Sequence, residues 1–132
     1  VRVTADTNVL VRALTGDNEM QAAAARKLLA QAELVAIPLA TLCELVWVLT
    51  ARYRLPAPGI AAALRGLLAS GNVTLDTQAV EAGLRMLEAG GDFADGVIAH
   101  EGRWLGAEIF YSFDKQSVKL LAAAGEKAEL LA

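Results

Sequence analysis

Short apolar runs alternate with pairs of helical segments along this chain, and that alternation limits its fold more than any single residue does. The runs Val1 to Ala5, Leu34 to Ile37, Asn72 to Leu75 and Glu108 to Ser112 are rich in apolar and β-branched residues, which suits buried strands. Ala128 to Leu131 reads as a fifth strand at an edge. Between them lie segments with apolar residues at helical spacing. They are Val9 to Leu14, a helix capped by Asp17 that ends near Ala32, Leu39 to Tyr53, Ile60 to Ala69, Gln78 to Ala89, Phe93 to Leu105 and Lys115 to Ala123. Thr15-Gly16, Ser70-Gly71, Gly90-Gly91 and Gly125 punctuate them. The order β-α-α-β-α-α-β-α-α-β-α-β predicts an α/β sandwich around a mostly parallel sheet.

A chain of 132 residues without repeats or low-complexity linkers predicts one domain spanning 1–132. Although 55% of it is hydrophobic, no apolar run reaches the roughly 18 residues of a membrane span. The first residues do not read as a signal peptide. A single cysteine, Cys43, leaves no internal disulfide and no cysteine zinc site, which fits a reducing compartment. With one histidine, His100, a triad would have to be built on that residue. The net charge of −3 does not advertise a basic nucleic-acid footprint.

Four carboxylates look misplaced for structure alone. Asp6 follows the first strand and Asp114 follows the fourth. If those strands are neighbours, both acids face the crevice at the carboxyl ends of the sheet. Glu44 interrupts an otherwise apolar helix between Leu42-Cys43 and Leu45-Val46, and Asp95 sits early in the apolar helix that starts at Phe93. Buried acids require a partner, and few basic residues lie nearby in sequence. A divalent cation is the natural counter-charge, and all-oxygen ligation suits Mg²⁺ or Mn²⁺. Such ions activate a water and stabilise a leaving oxygen in phosphodiester cleavage.

Plainer roles compete. Asp114 and Asp95 fit a helix cap and a first-turn acid, and Asp6 fits an Asx turn. Asp92, three residues before Asp95, is the better cap, with a water-mediated metal contact as its alternative. Asn8 and Ser112, each two residues from a candidate acid, fit either an outer shell that orients carboxylates or a turn and a strand end. Trp47 and Trp104 read as core or subunit-interface residues rather than base-stacking platforms. Cys43 reads as core rather than nucleophile, and His100, five positions after Asp95 and off its face, does not read as a ligand.

The segments Asp6-Thr7-Asn8-Val9-Leu10-Val11-Arg12, Cys43-Glu44-Leu45-Val46-Trp47-Val48-Leu49, Asp92-Phe93-Ala94-Asp95-Gly96-Val97-Ile98-Ala99 and Ser112-Phe113-Asp114-Lys115 together resemble the PIN-domain ribonucleases. Among these, the VapC-type toxins of type II toxin–antitoxin systems are the nearest match. The resemblance covers nearly the whole chain, in the same order. It implies a three-layer fold with a mostly parallel five-stranded sheet in the order 3-2-1-4-5, which sets strands one and four side by side. It implies a cytoplasmic, Mg²⁺- or Mn²⁺-dependent endoribonuclease whose catalytic and metal-binding acids are Asp6, Glu44, Asp95 and Asp114. It also implies homodimers, an RNA substrate, and a small antitoxin partner whose C-terminal segment fills the acidic crevice. Ser112 stands where threonine is usual, and Gly96 is a mild departure that suggests a looser helix start. A housekeeping RNA-processing nuclease and a catalytically silent PIN-like binding module remain alternatives. A receiver-type signalling module needs an acidic pair after strand one and a phosphorylatable Asp after strand three, and here strand three leads into Asp76-Thr77 with no such companion; a haloacid-dehalogenase phosphatase would want Asp where Asn8 stands.

Overall fold

A computed structural model describes residues 1–132. It contains seven helices and five short strands in the expected order: β1 (Arg2–Thr4), α1 (Thr7–Thr15), α2 (Glu19–Gln31), β2 (Leu34–Ala36), α3 (Leu39–Ala51), α4 (Ala57–Ala69), β3 (Val73–Thr74), α5 (Thr77–Glu88), α6 (Phe93–Trp104), β4 (Phe110–Ser112), α7 (Lys115–Ala123) and β5 (Ala128–Leu130). No helix is long and apolar enough to cross a membrane. The chain divides into two compact units, Val1–Asp76 and Thr77–Ala132.

In the first unit β2 lies between β1 and β3, and both pairings are parallel. Val35 stands opposite both Val3 and Val73, and its side chain is fully buried. Parallel neighbours need a crossover, and each here is a pair of helices. Helix α1 buries Leu10 and Val11, and α3 buries Leu42, Leu45, Val46 and Leu49. Two side chains close the helix ends. Arg26 Nε donates to the Ala13 carbonyl near the end of α1, and Asn72 Nδ2 donates to the carbonyls of Leu29 and Ala32 at the end of α2. These are carbonyls that a helix terminus leaves without a partner of its own.

The second unit is built on α5 and α6. Gly96 lies so close to the Ala82 carbonyl that any Cβ there would overlap it, and a Cβ on Gly83 would enter the Phe93 ring. Gly96 therefore allows the two helices to touch, and the looser start expected of α6 is not found: Gly96 is buried there. Strands β4 and β5 pair in parallel, with Tyr111 opposite Glu129, and α7 connects them. Met86, Ala99 and Leu121 form a core patch with Phe110, Leu120 and Ala128 packed against it.

The strands thus form two sheets, β1-β2-β3 and β4-β5, rather than one five-stranded sheet. Strands of two or three residues make ladders of two or three pairs, which carry little continuity. Other boundaries also moved. Helix α4 starts at Ala57, with Pro56 as its N-cap and Pro58 in its first turn, where a missing N–H costs nothing. Strand β4 starts at Phe110 rather than Glu108, because β5 offers it only three partners.

Candidate active site

Two of the four candidate carboxylates lie in each unit. In the first, Asp6 is the N-cap of α1. Its backbone is extended and its Oδ1 accepts the Thr7 N–H at 2.7 Å. A carboxylate at that position satisfies an orphan donor and interacts favourably with the helix dipole. Thr7 and Asn8 of the same first turn line a cleft of about 520 Å³ with Glu44, Trp47, Val48 and Arg52. Asn8 is exposed and lines the same cleft as Glu44.

Glu44 does not interrupt the apolar face of α3. It is exposed, as is Trp47, while Leu42, Leu45, Val46 and Leu49 are buried on the opposite side. At 3.6 residues per turn, positions 44, 47 and 48 share a stripe that 42, 45, 46 and 49 leave free.

In the second unit Asp114 is the N-cap of α7. Its Oδ1 accepts the N–H groups of Gln116 at 2.9 Å and Ser117 at 3.2 Å. Ser112 serves this cap through the backbone: its Oγ accepts the Asp114 N–H at 3.0 Å. Asp95 is half-buried in the first turn of α6, and its Oδ2 accepts the Ser117 hydroxyl at 2.6 Å. Ser117 is therefore bonded to both acids, to Asp114 by its amide and to Asp95 by its side chain, and only 5% of it is exposed. Sequence reasoning missed it. The available signal was its place three residues after a candidate cap aspartate. Asp92 is the N-cap of α6, its Oδ1 accepting the Ala94 N–H at 3.0 Å.

Of the four acids only Asp95 is even partly buried; Asp6, Glu44 and Asp114 are exposed. Burial therefore does not by itself demand a counter-ion, as the sequence had suggested. The donor set still fits a hard cation. Asp6 and Asp114 each commit Oδ1 to backbone donors, Asp95 commits Oδ2 to Ser117, and Glu44 commits neither oxygen. Each carboxylate keeps an oxygen with no protein donor, and such oxygens are the usual ligands of Mg²⁺. Asp95 and Asp114 are linked through Ser117, and no group of three or more ligands forms a ready-made cage.

Neither tryptophan is core. Trp47 is 60% exposed and Trp104 is 75% exposed. His100 is buried, its ring centre 6.5 Å from that of Trp104.

No curated protein matches the chain. The PIN domain family description matches residues 3–123, which takes in all four acids, their caps and Ser117. On that match the chain belongs to the PIN domain family.

Proposed function

We propose that this protein is a metal-dependent endoribonuclease and the toxin of a toxin–antitoxin pair. PIN domains are generally Mg²⁺-dependent nucleases, and family membership supports the chemistry. The observation that carries the reading to these residues is the uncommitted oxygen on each of Asp6, Glu44, Asp95 and Asp114. On this reading each of those acids is a candidate cation ligand. Bound Mg²⁺ or Mn²⁺ supplies the charge that activates a water and stabilises the leaving oxygen of a phosphodiester.

The chain's own contribution is to hold the acids still. The Thr7 amide fixes Asp6, the Gln116 and Ser117 amides fix Asp114, and the Ser117 hydroxyl fixes Asp95. Carboxylates oriented before the cation arrives bind it with less reorganisation. Asn8, Ser112 and Asp92 support the same groups from outside. The toxin role, the cytoplasmic setting and the antitoxin partner rest on the resemblance of the four acid-bearing segments to VapC-type toxins. Exposed Trp104 and Leu105 at the end of α6 favour a homodimer, since apolar side chains this open commonly meet a partner.

The test is cleavage of total cellular RNA by the purified protein. Cleavage is expected with Mg²⁺ or Mn²⁺, absent in chelator, and reduced more than about 100-fold in Asp6→Asn, because groups that merely support metal ligands already cost 10–100-fold. A folded Asp6→Asn protein that still cuts would overturn the reading. Growth arrest on expression, lifted by the same substitution, tests the toxin role.

A further inference from the structure

We infer that Trp47 and Arg52 form a binding subsite for an unpaired nucleotide beside Glu44. The inference rests on the nuclease reading for the identity of the polymer, and on the geometry of one cleft for everything else. Glu44, Trp47 and Val48 stand on one stripe of α3, and Arg52 is the C-cap of the same helix. Counting 1.5 Å per residue, Glu44 and Arg52 are about 12 Å apart along the axis. Trp47 lies between them, and all three line the same cleft of about 520 Å³ with Thr7, Asn8 and Val48.

Each residue has the chemistry the position needs. Trp47 presents an indole that is 60% exposed in a helix whose other large apolar residues are mostly buried. An open aromatic face in a cleft is a platform on which a base can stack. Arg52 is exposed and takes part in no ion pair, so its guanidinium is available to a phosphate. Asn8, at the mouth, carries an amide that donates and accepts. A base inside a duplex is already stacked on both faces and cannot use the indole; a splayed, single-stranded base can. The order acid, aromatic, cation along one helix thus places a base between the metal-binding end and a phosphate contact.

The experiment uses the full chain in the Asp6→Asn background, so that binding is read without cleavage. The probes are a fluorescein-labelled single-stranded oligoadenylate and a fully paired RNA duplex of the same length, read by anisotropy. Trp47→Ala is expected to weaken single-strand binding about tenfold, the usual scale for one stacked base, and to leave duplex binding unchanged. Trp47→Phe should recover most of the loss, and Arg52→Ala should weaken binding and flatten its salt dependence. In Trp104→Phe, where Trp47 is the remaining indole, adding the oligonucleotide should quench tryptophan fluorescence.

Unchanged single-strand affinity in Trp47→Ala, or no quenching in Trp104→Phe, would overturn the subsite while leaving the nuclease reading intact if the wild type still cuts. If the wild type does not cut but quenching and the tenfold loss are seen, the nuclease reading fails and the subsite stands. A Trp47→Ala protein that loses self-association but not RNA affinity would show that a second copy of the chain covers the indole, and would likewise overturn the subsite.

Discussion

Ser117 is where a single residue does most to shape the candidate site. Its amide and its hydroxyl go to different acids, on α7's cap and in α6's first turn, and the side chain is almost wholly buried. Ser117→Ala removes the hydroxyl bond to Asp95 and leaves the amide bond to Asp114. The expected result is a 10–100-fold loss of Mg²⁺ affinity and of cleavage, the usual effect of losing a group that orients a ligand, with rescue by Ser117→Thr. Isothermal titration with Mg²⁺ alone measures the first, and RNA cleavage the second. A protein with unchanged metal affinity would show that the hydroxyl serves the fold and not the site. The contrast with Asp6, Asp92 and Asp114 shows what sequence can reveal. Asp92 and Asp114 were legible as caps because a cap aspartate answers to its own neighbours in sequence; Asp6, which fitted an Asx turn, proves to be the N-cap of α1. Ser117 was not legible, because its hydroxyl's partner Asp95 is 22 positions away, and its place three residues after Asp114 signals only the local amide bond. Glu44 was misread for a related reason: its neighbours in sequence are apolar, but the helix turns them to the other side.

Among the elements, the joint between α1 and α2 departs most from its expected form. Asn18, not Asp17, caps α2, its Oδ1 accepting the Gln21 N–H at 3.0 Å. Asp17 is occupied elsewhere. It accepts the Tyr53 hydroxyl at 2.6 Å, the Arg12 guanidinium at 2.9 Å and the Thr15 hydroxyl at 3.0 Å. The joint is thereby tied to the segment just after α3, a link across 36 positions that no local capping rule anticipates. The Tyr53 hydrogen bond is the main reason the Asp17 carboxyl sits below the usual carboxylate range; desolvation, the next influence, opposes it, and Thr15 and Arg12 add to the lowering. A carboxyl lowered in the folded state contributes stability above its unfolded value, and that contribution disappears as pH falls through the folded value. Asp17→Asn and Tyr53→Phe are therefore expected to lower the urea midpoint at neutral pH. The gap to wild type should close in acid, below the carboxylate range. A gap that stays constant with pH would show that the effect is packing and not charge. The short β4 was harder to place for a different reason, since its length depends on what the neighbouring strand offers and not on its own residues.

For the whole molecule, the alternation of short apolar runs with helix pairs placed all twelve elements in order, because periodicity is a local property. Strand order within each sheet agrees with the corresponding part of 3-2-1-4-5, whereas a single continuous sheet was too much to ask of strands this short. The net charge of −3, with 15 acids against 12 lysines and arginines, makes a cation a favourable ligand for the molecule at large as well as for its site. Mg²⁺ at ten times its Kd should stabilise the protein by about 1.4 kcal/mol, or raise Tm by about 5 °C for a chain of this size. Asp6→Asn should reduce that rise, and circular dichroism in chelator should stay native. An unfolded spectrum in chelator would contradict the capping geometry. That geometry has an implication for how the protein exists between reactions. Asp6, Asp92 and Asp114 each sit on the amide-rich start of a helix, so their charge is already answered when no ion is present. On the metal-dependent reading, folding and activation are then separate events: the chain completes its folding in an ion-poor environment, and ion supply governs when it becomes active, not whether it survives.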